Sequence, residues 1–355
     1  MRSVFAYLGV AMVLAAGSYS EAHHSNAPHY DRDKPVTIEG VVTRFDFINP
    51  HAFVFVETAT EDGVSEVWKC ELSTANTLRR RGWSENQFVP GQMLTITGIA
   101  ARRDPTGCFF NNAIFADGST ITQAGAVAPP EVENATERLS ALAGGIPNLS
   151  GPWVRQRGRG QGGAAPEPQL AGVRAPGPGG AVPGEEFFTP EGLAAQQPFD
   201  QRFDDPSFDC SASSISRAWS EPGTPTAIEQ QDDLVTIRHE YMDTVRTVQL
   251  GVSEHPGDLT PRFYGHSIGH YEGSTLVIDT VGFTAGVLTP HPGILHSDEL
   301  HTIERLTVDA DEGVMRLEWN AADPKYFKEH LWGTGTFLLS SFPVEEFGCI
   351  PHDPD

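Results

Sequence analysis

The stretch Val-Thr-Ile-Arg-His-Glu-Tyr (235–241) alternates without a break. Val235, Ile237, His239 and Tyr241 fall in one phase, and Thr236, Arg238 and Glu240 in the other. Successive side chains of an extended chain point to opposite faces, so this period of two marks a half-buried antiparallel strand. Met315, Leu317 and Trp319 repeat the pattern against Arg316 and Glu318. Runs of β-branched and aromatic residues predict further strands at Thr244–Leu250, Arg262–His266, Ser274–Val281, His301–Val308 and Gly335–Ser341, with turns such as Glu272-Gly273 and Glu312-Gly313 between some of them. About eight short strands of this kind predict a barrel or sandwich over the second half of the chain. Asp323–Phe327 is expected as one short helix.

The first half reads differently in order but not in class. Val36–Phe47, Ala52–Thr58 and Ser65–Leu72 are expected strands, the second and third joined at Asp62-Gly63. Thr74–Arg81 lacks a β-branched run and ends at Gly82, which predicts a short helix with a glycine stop. Met93–Ala101 and Phe109–Phe115 complete the unit. Three strands, a helix and two strands is the order of an OB-like five-stranded barrel. Between the halves, residues 157–185 are mostly Gly, Ala, Pro, Gln and Arg, too poor in apolar surface to offset their ordering entropy. Thr189-Pro190 then opens a helix with proline in its first turn.

Composition bounds the location. Arg2 precedes an apolar run from Val4 to Ala16, and Ser20 and Ala22 stand where a signal peptidase cuts, so residues 1–22 read as a signal peptide. The run is shorter than the roughly 20 residues of a membrane span, and a periplasmic or secreted protein is expected. A net charge of −23 argues against nucleic acid as a partner. Four cysteines in an exported chain suggest disulfides. Three pairings are open; Cys70–Cys108 and Cys210–Cys349, each within one half, are expected, at roughly 4 kcal/mol of stabilisation apiece in the chain-entropy picture.

Two segments resemble known families. AHHSNAPHYD (22–31), KPVTIEGVVTRFDFINPHAFVFV (34–56) and NTLRRRGW (76–83) resemble a family of exported bacterial domains of unknown function, whose start usually reads His-His-Ser-Phe where this chain has Asn26. NLSGPW (148–153), GHSIGHYEGSTLVIDTVGF (265–283), HSDELHTIER (296–305) and DPKYF (323–327) resemble a second uncharacterised exported family, in which Arg-Trp often replaces His270-Tyr271. Gly151-Pro-Trp153 is similar to the Gly-x-Trp of lipocalin-like barrels. The resemblances imply export and all-β architecture. The expected organisation is therefore an OB-like domain over 23–120, a linker over 121–200, and a lipocalin-like antiparallel barrel over 201–355 whose first strand comes from 148–155.

Three sets of residues carry candidate chemistry. Cleavage after Ala22 would leave His23 at the amino terminus, where its amine and imidazole form a chelating pair for copper; His24, His29 or His51 would complete the site. In the second unit His266, His296, Glu304 and Arg305 are candidates for acid–base work of the kind an isomerase, lyase or hydrolase performs. Tyr264, His270, Tyr326 and Trp332 are candidates for the lining of an apolar pocket. The leading expectation is a binding protein for a small apolar or aromatic molecule held in the second barrel. Enzyme and copper-handling protein are the rival expectations.

Overall fold

The structure is a computed structural model describing residues 28–59, 63–125, 139, 142, 145–156, 172–176, 182–212, 214–221, 223–289 and 293–351. The expected signal peptide, His23, His24 and most of the 157–185 insertion lie outside the described residues.

The first sheet contains β1 (Tyr30–Asp46), β2 (Phe53–Ala59), β3 (Ser65–Glu71), β4 (Met93–Ala101), β5 (Gly107–Phe115) and β6 (Thr120–Thr122). Its order is β3-β2-β1-β4-β5-β6, and a parallel β3–β5 pairing closes the first five strands into the OB-like barrel. β1 serves two partners, β4 and β2, with a register shift between Val42 and Arg44. It must bend to do so. Gly40 sits where a Cβ would stand 2.3 Å from the Glu57 carbonyl oxygen, so this crowded point excludes every side chain. Ile38, Val54, Val56, Leu78, Ile96 and Phe110 fill the barrel. Helix α1 (Ala75–Arg80) lies between β3 and β4, capped by the Thr74 hydroxyl, which accepts from the Thr77 amide, and followed by Gly82 at φ 87.

The second sheet is a closed ring. Its strands are β7 (Gly151–Arg155), β9 (Thr226–Gln230), β10 (Leu234–His239), β11 (Val245–Leu250), β12 (His266–Glu272), β13 (Thr275–Val281), β16 (His301–Asp309), β17 (Val314–Ala322) and β18 (Leu331–Leu339). β17 pairs with β18 and β18 with β7, which closes the barrel. The ring has nine strands rather than eight. β9 was not expected, and β7 comes from Gly151–Arg155, ahead of the other ring strands in the chain. β8 (Val173–Arg174) adds to β18 in parallel, and β14 (Gly286–Thr289) and β15 (Ile294–His296) form a separate hairpin. Helix α2 (Pro190–Gln196) starts at a Thr189 cap, and α3 (Ile215–Ser220) at a Ser214 cap.

Two local expectations are corrected. Arg262–Gly265 is a turn with Gly265 at φ 64, so the strand starts at His266 and carries both His266 and His270. Asp323–Phe327 is a turn, not a helix. The Asp323 Oδ1 accepts from the Lys325 amide at 3.2 Å and the Tyr326 amide at 3.1 Å, and an aspartate that satisfies the following amides competes with helix formation.

Both expected disulfides form. Cys70–Cys108 joins directly paired residues of β3 and β5, and Cys210–Cys349 closes a separation of 139 residues. The two barrels touch through α1 and its surroundings. Arg80 forms a bidentate ion pair with Glu240, Nη1 donating at 2.8 Å, and the Asn76 amide donates to the Glu346 carbonyl at 3.1 Å. Among the described residues no helix is long and apolar enough to cross a membrane.

Candidate functional site

The alternation of the barrel strands decides which side chains enter its interior. On β16, Thr302, Glu304, Leu306 and Val308 are buried while their neighbours are part-exposed. On β11 the buried pair is Arg246 and Val248; on β10 it is Val235, Ile237 and His239. Two opposite charges thus point inward from strands that are not neighbours, and they meet. Arg246 donates from Nη1 to Glu304 Oε2 at 2.5 Å and from Nη2 to Oε1 at 2.6 Å. Trp219 of α3 adds its indole N–H to Glu304 Oε1 at 2.5 Å. A buried carboxylate is tolerated when it is paired and hydrogen-bonded, and these three donors meet that condition. The His239 ring meets Trp219 edge-on at 4.6 Å and shares a 2.8 Å hydrogen bond with the Thr226 hydroxyl. Burial, with the Arg246 charge beside it, holds that imidazole well below its usual pKa, so it is neutral.

Above this polar floor, α3 and the β14–β15 hairpin cover a cavity. It opens at its mouth, and the non-atom space of cavity and mouth together is about 390 Å³. Trp219, Phe263, Phe283, Leu288, Leu300 and Trp319 supply its apolar walls, and Ser214, Ser216, His296, Thr302 and Glu304 its polar groups. Trp319 lies flat on the strand opposite. A Cβ on Gly333 would stand 2.7 Å from three of its ring atoms, so Gly333 gives the indole its place. Helix α3 is fastened at both ends. The Ser214 and Ser216 hydroxyls donate to the Leu288 carbonyl at 2.6 and 2.9 Å, and Arg155 donates to the Ser220 carbonyl at 3.2 Å.

His296 is a polar group with free capacity. Its Nδ1 lies 2.9 Å from the Ser297 carbonyl oxygen, which only accepts, so Nδ1 carries the proton. Burial lowers its pKa, against the opposing pull of the Ser297 carbonyl and the Asp323 charge. The ring is therefore neutral with a lone pair at Nε2. Asp323 is itself saturated: Ser297 gives it an amide at 2.6 Å and a hydroxyl at 2.8 Å, in addition to the two turn amides.

The candidates named from sequence separate into distinct places. His296 and Glu304 both line the cavity. His266 and Arg305 do not. Ser267 pairs with Thr280, and Thr280 with Thr302, which puts Ser267 on the inner face and its neighbour His266 on the outer one. There His266 Nδ1 lies 2.8 Å from His255 Nδ1, and His255 and His301 both reach Asp279. Arg305 pairs with Glu272 outside the barrel at 2.7 Å. The acid–base cluster expected of His266, His296, Glu304 and Arg305 is therefore not assembled in one place. Tyr264, His270, Tyr326 and Trp332 do not line this cavity. Tyr264 bonds Thr244 through its hydroxyl at 2.7 Å, with burial pushing its pKa up to about 12. His270 is exposed beside Glu272, Tyr326 follows the Asp323 turn, and the Trp332 indole reaches the Gly172 carbonyl at 3.4 Å.

In the first barrel His51 Nδ1 contacts Glu71 Oε1 at 3.0 Å, and Tyr30 donates to Glu71 Oε2 at 2.6 Å. Its expected copper partners, His23 and His24, lie outside the described residues. Among the described residues, no group of three or more His, Cys, Asp or Glu is arranged to hold a metal ion.

Arg246, Trp219, His239, Thr302 and Trp319 are among the site residues that the sequence reading did not name as such. The signal for Arg246 was present in its phase. It alternates in step with Val248, as Glu304 does with Leu306, and two inward charges of opposite sign are a readable pair.

Comparison with known proteins adds little about activity. Residues 11–109 match a family described as a family of unknown function, DUF6152. No curated protein matches the chain. Among solved structures, a mutant of the fluorescent protein UnaG is 14% identical, with 40% of this chain and 89% of that one covered at a TM-score of 0.21.

Proposed function

We propose that this is a binding protein which holds a small apolar or aromatic molecule in the mouth of its second barrel. The observation that carries the reading is the cavity under α3, walled by two indoles, two phenyl rings and two leucines over a charge-neutralised floor. Such a chamber excludes water from apolar surface and leaves few polar groups to set orientation, which is the usual composition of a ligand site. The expected signal peptide and the two disulfides support a periplasmic or secreted setting for this activity.

Titration of the intact protein with N-phenyl-1-naphthylamine, a neutral fluorescent probe, tests the reading. Saturable one-to-one binding with a Kd of about 10 μM or tighter, on the order of −7 kcal/mol, is expected. Leu288→Trp, whose larger side chain takes up the chamber, should abolish it while far-UV circular dichroism and a cooperative thermal transition show the fold retained. A folded wild-type protein that fails to take up the probe, or a Leu288→Trp variant that binds it equally well, overturns the proposal.

A further inference from the structure

The polar groups of the cavity divide sharply into those already satisfied and those not. Ser214 and Ser216 are spent on the Leu288 carbonyl, the Trp219 indole on Glu304, and both Glu304 oxygens on Arg246. Two atoms remain. Thr302 Oγ1 is buried and has no hydrogen-bond partner among the described residues. His296, only 4% exposed, uses Nδ1 on the Ser297 carbonyl, and no described group bonds its Nε2. That nitrogen lies beside the open side of Gly286, where a Cβ would stand 3.6 Å from it.

The charge balance adds a second constraint. Glu304 is matched by Arg246, and Asp323 behind His296 is saturated by four donors. Neither a cationic nor an anionic ligand would find an uncompensated partner here, and burying either would carry its full desolvation cost. The free atoms are instead a lone pair at His296 Nε2 and a hydroxyl at Thr302, which accepts or donates.

Building on the binding function argued above, we propose that the ligand is an uncharged hydroxylated aromatic, a phenol or aryl alcohol, whose O–H donates to His296 Nε2 and whose oxygen accepts from the Thr302 hydroxyl. The ring lies among Trp219, Phe283 and Trp319. A site built to pair a hydroxyl discriminates strongly against an analogue that lacks it, because the buried partners are then left unsatisfied.

Four probes of one shape test this in the intact protein: 2-naphthol, 2-methoxynaphthalene, naphthalene and 2-naphthoate, read by quenching of tryptophan fluorescence. The expectation is that 2-naphthol binds at least about tenfold more tightly than each of the others, about 1.4 kcal/mol. His296→Phe should reduce that preference to about threefold or less, and so should the near-isosteric Thr302→Val, which keeps His296 in place should the first variant fold poorly. Equal binding of 2-naphthol, 2-methoxynaphthalene and naphthalene would overturn the hydroxyl assignment and leave the apolar site standing. Preferential binding of 2-naphthoate would overturn the neutral-ligand assignment. Failure of all four to bind folded protein would overturn the site itself.

Discussion

Arg246 and Glu304 face each other across the interior of the second barrel, joined by two hydrogen bonds of 2.5 and 2.6 Å although two strands separate them in the sheet. Both side chains are almost fully buried, at 3% and 1% exposure. The pair does two things at once. It ties β11 to β16 through the core, and it turns what would be a charged chamber floor into a neutral one. Buried pairs of this kind cost desolvation energy and contribute little net stability, but breaking one leaves a lone buried charge.

Removing one partner is therefore far worse than removing both. Arg246→Met should lower unfolding free energy by about 3–5 kcal/mol, and Arg246→Met with Glu304→Leu should recover most of that loss. Urea denaturation followed by tryptophan fluorescence measures it. A double variant as unstable as the single one would show that the pair contributes net stability.

The pattern that makes this pair also shows what a sequence can disclose. Strand existence was legible from the period of two, and so were the order of the OB-like barrel, the glycine stop at Gly82 and the disulfide pairing. What was not legible depends on closure. β9 is only five residues, Thr226–Gln230, and its role as a ring member appears once Thr226 is seen opposite both Trp153 and His239. The strand expected over Arg262–His266 stops where β12 begins, because Gly269 gives no sign in the sequence that it belongs to a strand. In the barrel that glycine lies within β12, where a Cβ would stand 2.7 Å from Val248. Trp219 was hidden because α3 comes from a stretch with no long helical period, and its place over the barrel is set by contacts 85 residues away in sequence.

A pH dependence follows from the first barrel. Burial alone would lower the His51 imidazole, but the Glu71 carboxylate outweighs burial and raises it above 6.5. Burial would raise Glu71, but His51 and the Tyr30 hydroxyl bring it down to about 2. The raised histidine stabilises the fold fully below pH 6.5, and that contribution is lost as pH rises through its folded value. The lowered carboxylate stabilises above pH 4.5, and that contribution is lost as pH falls through about 2. Glu71→Gln should thus cost most between pH 4.5 and 6.5, by about 1–2 kcal/mol for a part-exposed charged hydrogen bond. A wild-type minus variant difference that is flat from pH 4 to 9 would refute the coupling.

The contact between the barrels makes a separate prediction. Glu240 is fully buried and is held by Arg80 from the first barrel and by the Glu345 amide at 3.0 Å. Its neighbour on the chain, His239, faces the second barrel's interior. Arg80→Met leaves the Glu240 carboxylate without its cation, so the two barrels should lose mutual protection. Hydrogen exchange in α1 and in residues 344–348 should rise by roughly tenfold or more, with exchange in β16 and β17 unchanged. Unaltered exchange at α1 would mean that the pair does not hold the barrels together.

Gly333 offers the most local test of the cavity wall. Its backbone carries the Trp319 indole, and a Cβ there would stand 2.7 Å from the ring atoms Cε2, Cζ2 and Nε1. An indole is rigid, so Gly333→Val must move the whole ring, which lines the cavity. Overpacking of this kind costs about 1–3 kcal/mol, and the displaced ring takes the space a ligand needs. The variant should therefore fold with reduced stability and bind N-phenyl-1-naphthylamine at least about tenfold more weakly. Gly257→Ala is the matched control, because nothing lies within 4 Å of a Cβ at that position. It should leave both stability and probe binding unchanged. If Gly333→Val binds the probe as the wild type does, Trp319 is not a wall of the site, and the ligand chamber must be drawn from α3 and the β14–β15 hairpin alone.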